Sequence, residues 1–217
     1  MSFMKKILNR NTPIWDKCAD TPFVRGIQDG TLSMECFKEY MIQDSIYLKN
    51  YARILGKAIY HAATLKDIQV YYSMLDFVTD KESLVRLNYL KQFGLTDDDI
   101  EFITPLPENR NYIDFLFEVA ERGNEREILM AVLPCMLSYS YIFRNIADSP
   151  KAKRSRYWDF IQDYADDLYA NNCKEWCDFA DRKCKNLDGT EKEQLCGKFQ
   201  KASLLELDFW NMTYRRR

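Results

Sequence analysis

Histidine is almost missing from this 217-residue chain, which has one, His61. Its scarcity argues against a cysteine–histidine dyad, an axially ligated haem and most zinc sets. Glycine and proline are scarce too, at seven and six. Few turn residues speak for long helices with short connections rather than a turn-dense β fold. No glycine-rich phosphate loop or dinucleotide fingerprint occurs. Basic residues number 31 against 33 acidic ones, a net charge of -2, so no field for nucleic acid exists. Arg215-Arg216-Arg217 is expected to be a solvated end. The opening residues turn polar at Lys5-Lys6 before any signal-peptide core can form. The apolar run Ile128–Phe143 has 16 residues, short of the roughly 20 that span a bilayer. A cytoplasmic protein without membrane or nucleic-acid partners is expected, with its seven cysteines as reduced thiols.

What is present is helical periodicity, with apolar residues recurring at three- and four-residue steps. Asn11-Thr12-Pro13 is expected to open a first helix containing Trp15. Thr21-Pro22 starts a second over Phe23–Gln28, stopped by Gly30. Ser33 suits the N-cap of a long helix over 34–60. Thr64 caps the next, which runs past Tyr71, Leu75 and Leu87 to Gly94 with a break near Thr79-Asp80. Thr96 opens another. Pro105-Leu106-Pro107 reads as a loop, and Asn111 leads into a helix from Tyr112 to Arg122, stopped by Gly123. The central run follows and ends near Ser149-Pro150. Tyr157–Tyr169 and Cys173–Cys184 form one or two helices. Thr190-x-x-Glu193 reads as a capping box for a final helix to Tyr214. The expectation is all-α: a single-domain helical bundle of about seven to ten helices over residues 1–217.

The uncharged central run, in a chain with 29% charged residues, belongs inside the protein. Pro134 sits in its middle, where proline kinks a helix and frees a carbonyl. Cys135, Ser138, Tyr139 and Ile142 share a face there. They are either packed core or a nucleophile site. Asp44 interrupts the apolar stripe Phe37, Tyr40, Met41, Tyr47, Leu48, Tyr51, where an unpaired carboxylate is costly. Either tyrosine hydroxyls satisfy it or a ligand does. Glu206 sits one turn before Phe209-Trp210, and burial against rings raises a carboxyl pKa toward that of a proton donor. The alternative is that Leu204 and Leu207 face inward and Glu206 is solvated. The 14 tyrosines include Tyr47, Tyr112, Tyr139 and Tyr164 on apolar faces. Such rings are ordinarily core, yet a cluster of them around buried acids suits a flat heteroaromatic ligand. Cys173, Cys177 and Cys184 share a face, but no paired spacing supports a metal, and none is expected.

Several of these residues recur as ordered motifs: Pro22-Phe23-Val24, Gly30-Thr31-Leu32, Phe37-x-x-Tyr40, Gln43-Asp44-x-x-Tyr47-Leu48, Pro134-Cys135-x-x-x-Tyr139, Tyr157-x-x-x-Ile161-x-x-Tyr164 and Glu206-x-x-Phe209-Trp210. Together they resemble the TenA/thiaminase II family, the aminopyrimidine aminohydrolases of thiamin salvage, in its cysteine-containing branch. The resemblance covers nearly the whole chain. It implies a heme-oxygenase-like bundle, usually a homotetramer, acting on a small aminopyrimidine or thiamin without a cofactor. By resemblance, Cys135 is the nucleophile, Glu206 the proton donor, and Tyr47 the residue that sharpens the thiol. Asp44 binds the aminopyrimidine edge, Tyr139 and Tyr112 contact the substrate, and Tyr164 with Phe209 completes the aromatic walls. Two positions depart from the pattern: Thr21, where histidine is usual, and Ser45, where an aromatic residue is common. They leave the substrate preference open. Two other readings remain: a non-catalytic aminopyrimidine-binding or regulatory protein, and another salvage reaction on the same scaffold.

Overall fold

A computed structural model describes residues 1–214, except the side chains of residues 80–83; the arginine tail at 215–217 lies outside the described residues. Among them every element is helical: α1 (Phe3–Ala19), α2 (Pro22–Asp29), α3 (Met34–His61), α4 (Leu65–Asp76), a π segment (Phe77–Lys81), α5 (Glu82–Gln92), α6 (Asp97–Ile100), α7 (Pro107–Arg122), α8 (Glu125–Ala147), a 3-10 turn (Ala152–Arg154), α9 (Trp158–Ala165), α10 (Asp167–Lys183) and α11 (Gly189–Met212). Among the described residues eleven α-helices form, against about seven to ten expected. One apolar core runs through it from Met4 to Met212.

Several boundaries follow the sequence signals. Thr21 accepts from the Val24 amide and Ser33 from the Cys36 amide as N-caps. Gly30 ends α2 at φ +71°, with Ser155 Cα 3.3 Å from where a Cβ would stand. Both the left-handed backbone and the close approach demand glycine there.

Five boundaries differ. The break expected between Tyr169 and Cys173 falls at Asp166, whose side chain caps α10. The first helix starts at Phe3, capped by Ser2, and Pro13 lies inside it. The buried stripe Met4, Ile7, Asn11, Ile14, Trp15, Cys18 already begins before the proline. Beside Pro13, the Asn11 amide donates to the Ile7 carbonyl and the Thr12 hydroxyl to that of Leu8. The break near Thr79 is a π segment, so α4 passes into α5 without a loop. Helix α7 begins at Pro107, five residues before Tyr112, because proline suits the first helical position. The last capping box is Asp188 with Glu191, not Thr190 with Glu193; Glu193 instead pairs with Arg10 at 2.9 Å.

Helix α8 is the axis on which the others pack, with every residue from Ile128 to Ser140 buried. At 23 residues it is long and apolar enough to cross a membrane by length and composition, so length does not exclude a span. Burial characterises it instead: 83% of its apolar window is enclosed by the chain. Helix α3 is tied to it by the Tyr51 hydroxyl, which donates to the Val132 carbonyl at 2.9 Å.

The start of α7 is held by a side chain of α3. Gln43 Oε1 accepts from the Leu106 amide at 2.9 Å and the Asn109 amide at 3.0 Å, and Asn109 also donates to the Gln43 carbonyl. Gln43→Ala leaves two inward donors short of an acceptor. It is expected to lower unfolding stability by about 2 kcal/mol in urea titration. An unchanged midpoint would mean that this clamp does not fix α7.

Candidate active site

Five helices bring the cluster together. Tyr40, Asp44, Tyr47 and Tyr51 lie on one face of α3, by the i, i+4, i+7, i+11 rule, and all are buried. Helix α8 supplies Cys135 and Tyr139, α7 supplies Tyr112, and α11 supplies Glu206 and Phe209. The Tyr47 ring lies 4.9 Å from that of Tyr112 and 5.6 Å from that of Phe209. Tyr139 stands beside Tyr164, from α9, at 4.9 Å. The eight residues singled out in the sequence are thus all buried, and they line one region of the core.

The two acids have unusual environments. Glu206 is 1% exposed while Leu204 is 44% exposed, so the face that buries the carboxyl is the true one. Burial pushes its pKa up to about 8, against the pull of Tyr112 and Cys135 and with a further push from Asp44. Asp44 is raised to about 7, again by burial, with Arg86 drawing it down. Tyr139, whose hydroxyl pKa is raised partly by Asp44, faces the same carboxyl. Near neutrality both groups hold protons for much of the time. Two carboxyl groups sharing a buried site titrate as a pair.

The phenols are equally constrained. Burial raises the Tyr47, Tyr112 and Tyr139 hydroxyls well above 10, and each is raised further by Cys135 and Glu206. They are therefore neutral donors at physiological pH. Tyr112 and Cys135 lie near enough to favour the Glu206 carboxylate, yet the Tyr112 contact falls short of a formed hydrogen bond. Glu206 Oε1 and the Tyr47 and Tyr112 hydroxyls find no partner of good geometry. Buried polar groups are rarely left so. Three of them close together are polar groups that a ligand with its own donors and acceptors would satisfy.

Some of the arrangement was not legible in the sequence. Tyr40, given no role there, shares a 2.7 Å hydrogen bond with the Tyr139 hydroxyl and stacks on Trp210 at 5.5 Å. Its place in the Asp44 stripe was the available signal. Arg86 lies on α5, whose pattern carries no marker for a buried cation. It donates to the Ser45 hydroxyl at 2.8 Å and to Asp97 at 2.9 Å. Arg86 and Ser45 also line a cavity of about 260 Å³ on the outer side of α3, together with Leu48, Lys49, Val78 and Asp97. Asp44, Cys135 and Glu206 do not line it, so this cavity is not where the reactive groups meet.

Residues 8–216 match the TENA/THI-4/PQQC family. The chain belongs to that family. A relative from Halalkalibacterium halodurans named aminopyrimidine aminohydrolase is 31% identical, across 100% of this chain and 97% of its own length. Among solved structures, the TenA homologue protein from P. horikoshii OT3 superposes with a TM-score of 0.88 at 28% identity, covering 99% of both chains. A domain with a heme oxygenase-like fold from Shewanella denitrificans aligns at TM-score 0.71 and 16% identity, over 97% of this chain and 91% of its own. At that identity it bears on the fold alone. The all-α, heme-oxygenase-like expectation therefore holds.

Proposed function

We propose that this family member is an aminopyrimidine aminohydrolase of thiamin salvage. Its substrate is 4-amino-5-aminomethyl-2-methylpyrimidine, its products are the hydroxymethylpyrimidine and ammonia, and it also cleaves thiamin to hydroxymethylpyrimidine and thiazole. The observation that carries the reading is the buried meeting of a thiol, two carboxyl groups with raised pKa and two phenols lacking hydrogen-bond partners. Pure binding requires no nucleophile, and the names of the relatives agree with hydrolysis.

In this reading protonated Asp44 donates to a ring nitrogen at the aminopyrimidine edge and so withdraws electron density from the ring. The Cys135 thiolate adds to the ring carbon thus made electrophilic, since thiolate is the reactive form of cysteine. Tyr47, beside it, steers the thiol. Glu206, protonated near neutrality, donates its proton to the amine as the carbon–nitrogen bond at the methylene breaks. Water then adds at that methylene, the sulfur leaves, and the carbon–oxygen bond of the alcohol is formed. Tyr112 and Tyr139 contact the ring's polar edge, while Tyr164 and Phe209 wall the pocket. No cofactor is invoked. The assembly is a homotetramer in the cytoplasm, with the mass checked by light scattering.

The deciding experiment follows amine release from the aminomethylpyrimidine and from thiamin side by side. Turnover of the aminomethyl compound is expected. Tight binding of it without release would select the regulatory, non-catalytic reading.

A further inference from the structure

Arg86 is used by no step above, yet its charge acts on the substrate-binding carboxyl. Its side chain is only 12% exposed. It reaches from α5 to the wall of α3 and donates to Ser45, the residue next to Asp44. Ser45 is itself fixed by donating to the Met41 carbonyl at 2.7 Å. The same guanidinium is held from outside by Asp97 of α6, which is 61% exposed. A second guanidinium nitrogen, Nε, is buried without a hydrogen-bond partner. Leaving a buried donor unsatisfied costs stability, so the position is kept at some expense.

We propose that Arg86 is a positioning residue for the reaction: tethered to Ser45 behind Asp44, it sets how readily Asp44 ionises, and Asp97 tunes that influence from the surface. This rests on the proposed function only for its effect on turnover, because the ionisation of Asp44 is a property of the protein alone. The small hydroxyl side chain at position 45 makes the tether possible, since it offers an acceptor where a larger apolar group would fill the space.

The groups facing Asp44 define how the effect is read. Helix α5 brings Arg86, α6 brings Asp97 through Arg86, α8 brings Tyr139, and α11 brings Glu206. The same α8 carries Cys135, and α7 carries Tyr112, both beside Glu206. The nearby Lys49–Glu101 pair, at 3.0 Å, balances itself. The phenols are neutral and Glu206 still holds its proton where Asp44 titrates, so Arg86 is the charge that favours the Asp44 carboxylate.

Arg86→Met removes the charge and keeps the bulk, whereas Asp97→Asn removes the carboxylate that competes for the guanidinium. The carboxylic C=O stretch of Asp44, assigned by its loss in Asp44→Asn, is followed by infrared spectroscopy across pH. Its midpoint, about 7 in the natural chain, is expected to rise by about one unit in Arg86→Met and to fall in Asp97→Asn. Arg86→Lys restores most of the natural midpoint. The limb of the kcat/KM profile that reports Asp44 moves with it in each variant. Arg86 would lose this role if the midpoint stayed put in Arg86→Met, or if both variants moved it the same way. Should Arg86→Met fail to fold by circular dichroism, Asp97→Asn and Arg86→Lys decide the matter, because neither empties the site. If the infrared midpoints shift as stated in protein without hydrolase activity, the proposed function fails while the role of Arg86 stands.

Discussion

Cys135→Ser folds like the natural chain and loses hydrolysis by about 10³-fold or more. Serine keeps nearly the same volume, so the packing around position 135, which is only 8% exposed, changes little. Stability within about 1 kcal/mol of the natural chain is expected. What changes is the nucleophile, because an alcohol is a far weaker acid than a thiol, does not ionise near neutrality, and has no histidine at hand to activate it. Asp44, Tyr112 and Tyr139 remain, so the aminopyrimidine should still bind with nearly unchanged affinity. The check is calorimetric binding together with amine release. Substantial turnover by the variant would remove Cys135 from the mechanism and leave Glu206 and water to act directly.

Glu206→Gln is the second large effect. It keeps the shape and removes the proton donor, and a fall in kcat of about 10²–10⁴-fold is expected. In the natural chain activity declines as pH rises through about 8, where Glu206 loses its proton. The residual activity of the variant loses that decline. Stability carries a second signature with a definite sign. Glu206 has an ordinary value of 4.5 and a folded value of about 8. Between these the folded state holds a proton that the unfolded state has released. Its contribution is therefore fully present below pH 4.5 and is lost as pH rises toward 8, with a slope of about 1.4 kcal/mol per pH unit. Asp44 adds a like slope between 3.8 and about 7. Glu206→Gln removes its own share, so the variant should be the more stable protein at pH 8. Urea midpoints from pH 5 to 8 measure this. Parallel stability curves for the two proteins would show that Glu206 is ionised in both states.

The exchange of stability for chemistry explains which parts of the site could be read in advance. Asp44 and Glu206 each break an apolar stripe, and a carboxyl on a buried face is an anomaly that helical spacing exposes without any structure. Cys135 announced itself by following Pro134 in an uncharged run. Arg86 gave no such sign, because its partners Ser45 and Asp97 lie on other helices and meet it only after folding. The clamp of Gln43 on Leu106 and Asn109 is likewise a tertiary pairing. The boundary differences have local causes. Pro13 is a breaker in isolation, yet the apolar stripe that runs from Met4 to Cys18 outweighs it, with help from the Asn11 and Thr12 side chains. Asp188 captured the last cap because it stands two residues ahead of Thr190 in the same turn.

Glu206 sits on α11, and this has a consequence for biosynthesis. Helix α11 packs against α1, α7 and α8, and it carries Glu206 into a core whose other walls are made much earlier. On the ribosome, α8 is complete at Ala147, while α11 begins only at Gly189. At roughly 5–20 residues per second, the growing chain spends seconds with the apolar faces of α1 and α8 uncovered where α11 will lie. Cys135 is already present on α8, but Glu206 has yet to be made.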